Sequence, residues 1–110
     1  MATIAKYVQP GYNIDYTADT DKAYREVIAL GPCIGVTNAE IKAGETGSIT
    51  LTGVHQIDAE AGTAIAFGAQ VYYDTKKGVI VAASGANTVP AGMAVASKTE
   101  AGTTCWVRIG

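Results

Sequence analysis

Charge, histidine, leucine and long apolar runs are all scarce in this sequence of 110 residues. Only 16% of the residues are charged, 8 Lys plus Arg against 10 Asp plus Glu, for a formal charge of −2. The cations stand singly apart from Lys76-Lys77, so no basic stripe exists to neutralise phosphates, which argues against a nucleic-acid partner. No unbroken apolar run approaches the roughly 20 residues that a helix needs to cross a bilayer, and no membrane partner is expected. The first ten residues include Lys6, Tyr7, Gln9 and Pro10 where a secretory signal needs a continuous apolar segment, so the chain reads as one made in the cytoplasm.

Motifs that carry chemistry are missing as well. There is no phosphate-binding Gly-x-x-x-x-Gly-Lys-Ser/Thr loop, no Gly-x-Ser-x-Gly elbow and no Asp-rich calcium loop. The 10 carboxylates show no paired arrangement on one predicted element, so no acid and base pair is nominated. Cys33 and Cys105 lie far apart in apolar segments without the close spacing of a zinc site, and read as buried reduced thiols unless oxidation outside the cell pairs them. The single histidine, His55, lies in a predicted strand next to Gln56; a strand histidine is the plain reading, and a hydrolase built on it is the catalytic alternative. We therefore nominate no catalytic residue, no cofactor and no metal ligand, and read the chain as a non-enzyme.

What the chain has in quantity is β-branched residues: 10 Val, 10 Ile and 13 Thr, against 2 Leu, 2 Met and 5 Glu. Branched side chains lose rotamer freedom in helices and pack well on a pleated surface. The 13 Gly and 3 Pro divide the sequence into short segments, which predicts an all-β single domain, a small sandwich or barrel of jelly-roll-like type with little or no helix. Tyr12, Ile14 and Tyr16 alternate on one side of an opening strand; Glu26–Leu30 and Cys33–Thr37 are apolar runs split by Gly31-Pro32, as two strands or one bent strand, both largely buried. A loop is expected over 38–47, a half-buried strand over 48–52, a bend at Gly53 and a short strand over 54–57. Residues 58–68 are expected to form an irregular turn. A hairpin follows, with Asp74-Thr75-Lys76-Lys77-Gly78 joining two β-rich runs. The sequence then predicts a loop over 84–87, an extended entry at Val89-Pro90, a small-residue strand over 92–97 and a terminal strand over 103–109 in which Cys105, Val107 and Ile109 oppose Thr104, Trp106 and Arg108.

Two surfaces stand out as contact candidates. Residues 1–16 form an N-terminal arm and first extended segment, with 17–110 as the body, and the arm from Ala2 to Tyr12 is apolar and aromatic, set off by Pro10-Gly11. Tyr7, Val8, Gln9 and Tyr12 are its candidate partner-binding residues. Trp106, opposite the apolar side of its strand, is the fifth. A carbohydrate-binding module using Tyr72, Tyr73 and Trp106 is the non-catalytic alternative.

The order of segments is itself informative. Tyr7-Val8-Gln9-Pro10-Gly11, Tyr16-Thr17-Ala18, Gly35-Val36, Ala43-Gly44-Glu45, Gly53-Val54, Ala61-Gly62-Thr63-Ala64-Ile65-Ala66, Gly68 to Asp74 and Gly92-Met93-Ala94 together resemble the tailed-phage capsid cement, or decoration, protein family over nearly the whole chain. Each motif alone is weak; their order and spacing carry the likeness. The chain departs from that pattern in having Ala23-Tyr24-Arg25-Glu26 where a Gly-Asp pair is common before the second strand, and in lacking a Leu-Pro-Lys near Ile57-Asp58-Ala59. The resemblance implies a β-rich protein, made in the bacterial host cytoplasm, that binds the major capsid protein on the outside of an icosahedral virion shell as a dimer or trimer and stabilises it.

Overall fold

The computed structural model describes residues 2–110, and its described residues contain nine strands and no helix. β1 (Asn13–Thr17), β2 (Val27–Ala29), β3 (Ile34–Thr37) and β4 (Thr46–Thr50) form one antiparallel sheet in the order β1-β4-β3-β2. β5 (Gly53–Asp58), β6 (Gln70–Asp74), β7 (Val79–Val81), β8 (Thr88–Ala94) and β9 (Thr104–Ile109) form the other, in the order β5-β9-β8-β6-β7. The first order is a Greek key read from its far end, three consecutive strands with the remaining one returned beside them. The second sheet curls: Ala59, just past β5, bridges Ile80 of β7, and the Glu60 N–H donates to the Ile80 carbonyl at 2.9 Å. One bridge therefore ties the two edges of this sheet together at one end, as in a small barrel.

The expected all-β fold is what the chain adopts, and alternation explains most of it. In β9, Cys105, Val107 and Ile109 are buried while Thr104, Trp106 and Arg108 are exposed. The inward set joins Ile57, Val71, Ile80, Ala91 and Ala94 in the main core, to which β3 adds Ile34 and Val36. A second core lies on the opposite face of the first sheet, where Ile28 and Ile49 pack with Ile41 and Ala18, flanked by Ile14 and Tyr16. β3 is buried at every position because it serves both cores, whereas β2, at the sheet edge, leaves Ala29 exposed. The apolar run over 26–37 is thus two strands, joined by a turn in which the Leu30 N–H donates to the Cys33 carbonyl at 2.9 Å.

β1 is paired with β4 along its full length, from Asn13↔Thr50 to Thr17↔Thr46, and residues Ala2–Tyr12 precede it. Two strand boundaries differ from the sequence reading. β4 starts at Thr46 rather than 48, because Thr46 and Gly47 complete that pairing; a Cβ at Gly47 would stand 2.6 Å from Ile41 Cγ1, so the residue crossing the strand requires glycine beneath it. β8 is one strand from Thr88 to Ala94 and ends before Val95, instead of an extended entry followed by a strand over 92–97. Pro90 is accommodated because the β6–β8 register shifts there: Tyr72 pairs with Pro90 and Val71 with Gly92, leaving Ala91 as the extra residue of a bulge.

The β6–β7 hairpin is as expected, its turn held by Asp74, whose Oδ1 accepts the N–H groups of Lys76 and Lys77 at 2.9 Å each. The irregular stretch over 58–68 is fastened by Lys98, a buried cation whose Nζ donates to the Thr63 carbonyl at 2.6 Å and the Thr99 carbonyl at 3.0 Å. Charge-assisted bonds to buried carbonyls are worth roughly 1.5–3 kcal/mol each before the ammonium desolvation is offset. Lys98→Ala is expected to lower unfolding free energy by about 1–3 kcal/mol, read as a shift in the urea midpoint. An unshifted midpoint removes Lys98 as the fastener.

Candidate functional site

The outer face of the β5–β9 pair is fixed by register. Val54 lies opposite Arg108, Gln56 opposite Trp106 and Asp58 opposite Thr104, and all six side chains point away from the main core. Trp106 donates from Nε1 to Gln56 Oε1 at 3.1 Å, which satisfies the indole N–H and holds the ring across the strand pair. The ring stays 53% exposed and Val54 is 56% exposed. Val54, Gln56 and Trp106 line a shallow depression of about 270 Å³.

Val54 also borders a second hollow, a cleft of about 340 Å³ between the two sheets, lined with Tyr24, Arg25, Val36, Thr37, Asn38 and His55. Its rim is the turn Ala23–Glu26, locked from below by Thr37. Thr37 Oγ1 accepts the Glu26 N–H at 2.9 Å and donates to the Ala23 carbonyl at 2.5 Å, while the Arg25 N–H donates to the Thr37 carbonyl at 3.2 Å. This lock holds Arg25 at φ 63°, the one positive φ among the described non-glycine residues. Such a backbone costs an L-residue about 1–2 kcal/mol. The turn lifts Tyr24 to 58% exposure, with the Arg25 guanidinium 5.1 Å from the centre of its ring.

The arm is the third surface. Ala2–Tyr12 has no regular structure, and Ile4, Tyr7, Val8 and Tyr12 are exposed, Tyr7 by 83% and Val8 by 86%. Its root is tied: the Tyr12 carbonyl accepts the Leu51 N–H at 2.8 Å. Leu51 precedes Val54 by three residues, so by backbone reach the arm leaves the body within about 17 Å of the outer β5–β9 face.

The expected contact residues thus divide. Tyr7, Val8, Gln9 and Tyr12 are exposed on the arm and Trp106 on the body, and no arm residue lines the depression beside Trp106. Tyr12 stays exposed although it continues the alternation of Ile14 and Tyr16, because it precedes the paired strand. Tyr72, Tyr73 and Trp106 do not assemble into one platform: Tyr73 packs against the main core, where burial pushes its phenol up from the usual tyrosine range, and neither tyrosine lines the depression at Trp106. His55 places Nε2 3.0 Å from the Thr52 carbonyl, which requires the ring nitrogen to be the donor. The described residues that line its cleft include no Ser, Cys, Asp or Glu, and Thr37 is engaged in the turn lock. Cys33 and Cys105 are unpaired, and Cys33 is half-buried rather than buried, because it follows the exposed turn of the β2–β3 hairpin; burial pushes the Cys105 thiol up, away from thiolate reactivity. Sequence reasoning passed over Tyr24, Arg25, Val54 and Arg108, whose proximity depends on register and on the meeting of two sheets; alternation along β9 was the one signal available for Arg108.

A family model described as phage cement protein matches residues 8–109 of the chain. No curated protein and no solved structure matches it.

Proposed function

The chain belongs to the phage cement protein family, and from that premise we propose that it is a capsid decoration protein, binding the major capsid protein on the outer surface of an icosahedral phage shell and stabilising the shell without catalysis. The observation that carries this reading beyond the family is the arm. Four large apolar side chains, Ile4, Tyr7, Val8 and Tyr12, face solvent on a segment with no strand partner. Isolated exposed apolar residues are ordinary, but a run of them on a free extended segment fits one that is ordered on a partner.

The physics of cementing follows from linkage. A protein that binds the assembled lattice and not separated capsomers stabilises the lattice by about 2.7 kcal/mol per site at a hundred times its dissociation constant. Copies that bridge neighbouring capsomers, as dimers or trimers, gain further through effective concentration. A stiff sheet body loses little entropy on docking, so its contacts convert efficiently into affinity. Synthesis in the host cytoplasm would deliver the protein where shells are assembled.

The test is co-sedimentation with shells of the cognate phage prepared without this protein. Saturable binding at a fixed number of copies per capsomer is expected, together with a higher temperature of shell disruption. Protein that stays in the supernatant at about ten micromolar, the upper range for a useful weak contact, sinks the proposal.

A further inference from the structure

The chain has two arginines, one tryptophan and one histidine, spread from residue 25 to residue 108, and all of them gather around Val54. Val54 faces Arg108 across the β5–β9 ladder, shares the outer depression with Trp106, and shares the cleft between the sheets with Tyr24, Arg25 and His55. The chain carries 10 carboxylates, yet none lines either hollow. We infer that this patch is the docking site for a carboxylate-bearing segment of the shell protein, with Arg25 and Arg108 as charged anchors and Trp106 and Tyr24 as the aromatic ones; the inference rests on the cement reading above.

Arginine, tryptophan and tyrosine are the residues that dominate interface energies, and a guanidinium recognises a carboxylate by two parallel hydrogen bonds. Both guanidinium groups are available for that. Among the described residues the salt bridges are Lys22–Glu26, Lys42–Glu40 and Lys77–Glu60, and neither arginine takes part in one. Arg25 is held in a left-handed backbone by bonds of Ala23, Glu26, Thr37 and its own backbone N–H, so its side chain contributes nothing to the lock that strains it. A residue kept at such a position against its conformational preference fits a role outside the fold.

Two guanidinium groups beside hollows that no carboxylate lines are complementary to an acidic segment, and the cement reading makes the shell its source. The arm carries Lys6 and no carboxylate, so a neighbour's arm does not complement the patch. Glu40 and Glu26 are already engaged by Lys42 at 2.9 Å and Lys22 at 3.6 Å, and contact with the remaining carboxylates of another copy is an outcome that the test below reads. The root of the arm also lies near the patch, since Tyr12 bonds to Leu51, three residues before Val54, so arm and patch can engage one surface together.

The test measures binding of wild type, Arg25→Gly, Arg108→Gln and Trp106→Ala to shells that lack this protein, over a range of salt. Each variant is expected to bind at least about tenfold more weakly, and the two arginine variants combined to flatten the salt dependence. Arg25→Gly should melt at or above the wild-type temperature, since glycine relieves the left-handed backbone; a merely structural arginine would not lose binding while keeping stability. Wild-type affinity in all the variants overturns the inference alone. So does a change in the sedimentation of the free protein, which would make the patch a contact between copies. Wild type that binds no shell overturns this inference and the cement reading together.

Discussion

Gly92→Ala is expected to abolish accumulation of the folded protein, or to lower its unfolding free energy by at least about 3–4 kcal/mol, out of the 5–15 kcal/mol available to a domain of this kind. Two independent effects coincide. Gly92 has φ 141°, a backbone that side chains rarely adopt, and a Cβ placed there collides with the Arg108 carbonyl oxygen and stands 3.0 Å from the carbon that bears it. Strand β9 cannot simply move aside. β8 and β9 pair only at Met93↔Arg108 and Ala94↔Val107, immediately after Gly92, and this short ladder joins β6, β7 and β8 to β5 and β9. Opening it exposes Ala94 and Val107, both fully buried. Gly85→Ala is the control, because that position has a negative or extended φ and open space around it, and it should change stability by less than about 0.5 kcal/mol. Urea unfolding of the two variants decides the matter. A Gly92→Ala protein within about 1 kcal/mol of wild type is incompatible with the close approach of β8 to β9.

Legibility in the sequence tracked distance along the chain. The β6–β7 hairpin was readable because everything it needs lies between Tyr72 and Val81, including the Asp74 side chain that closes the turn. The inward set of β9 was readable because alternation is a property of one strand. β8 was not, since Pro90 marks a break to a local reading, and only the slipped pairing with Tyr72 makes room for it. Gly47 reads as loop glycine because the requirement for it comes from the Ile41 side chain, six residues earlier and folded back across the strand, which alternation does not show. The candidate site shows the same division. Trp106 was visible through alternation, whereas Arg25 and Arg108 meet Val54 only once a strand register and a cleft between two sheets exist. The segment Ala23-Tyr24-Arg25-Glu26 is the same case: it contains the one non-glycine residue held in the left-handed region among those described, by bonds to a strand eleven to fourteen residues away.

Removing Ala2–Gln9 should separate binding from folding more sharply than any point change. The first backbone bond between arm and body is the one from Leu51 to Tyr12, beyond the deletion, and Ile4, Tyr7 and Val8 are exposed, so the truncated body loses neither pairing nor burial. Its melting temperature should stay within about 2 °C of the full chain, a shift well under 1 kcal/mol for a domain of this size. Binding to shells is a different matter. Loss of the Ile4, Tyr7 and Val8 side chains should weaken binding by about tenfold or more, the effect of removing anchor residues from an interface, a factor of ten being 1.4 kcal/mol. The deleted eight residues span at most about 28 Å when extended, comparable with the 25 Å shortest dimension of the whole molecule, so the arm can reach beyond the footprint of its own copy. Because this contact is apolar, the loss should persist across salt concentrations, whereas the loss at Arg25 and Arg108 should fade as salt rises. Undiminished occupancy by the truncated protein would take the arm out of the shell contact, and a melting temperature lowered by many degrees would show that the arm packs on its own body.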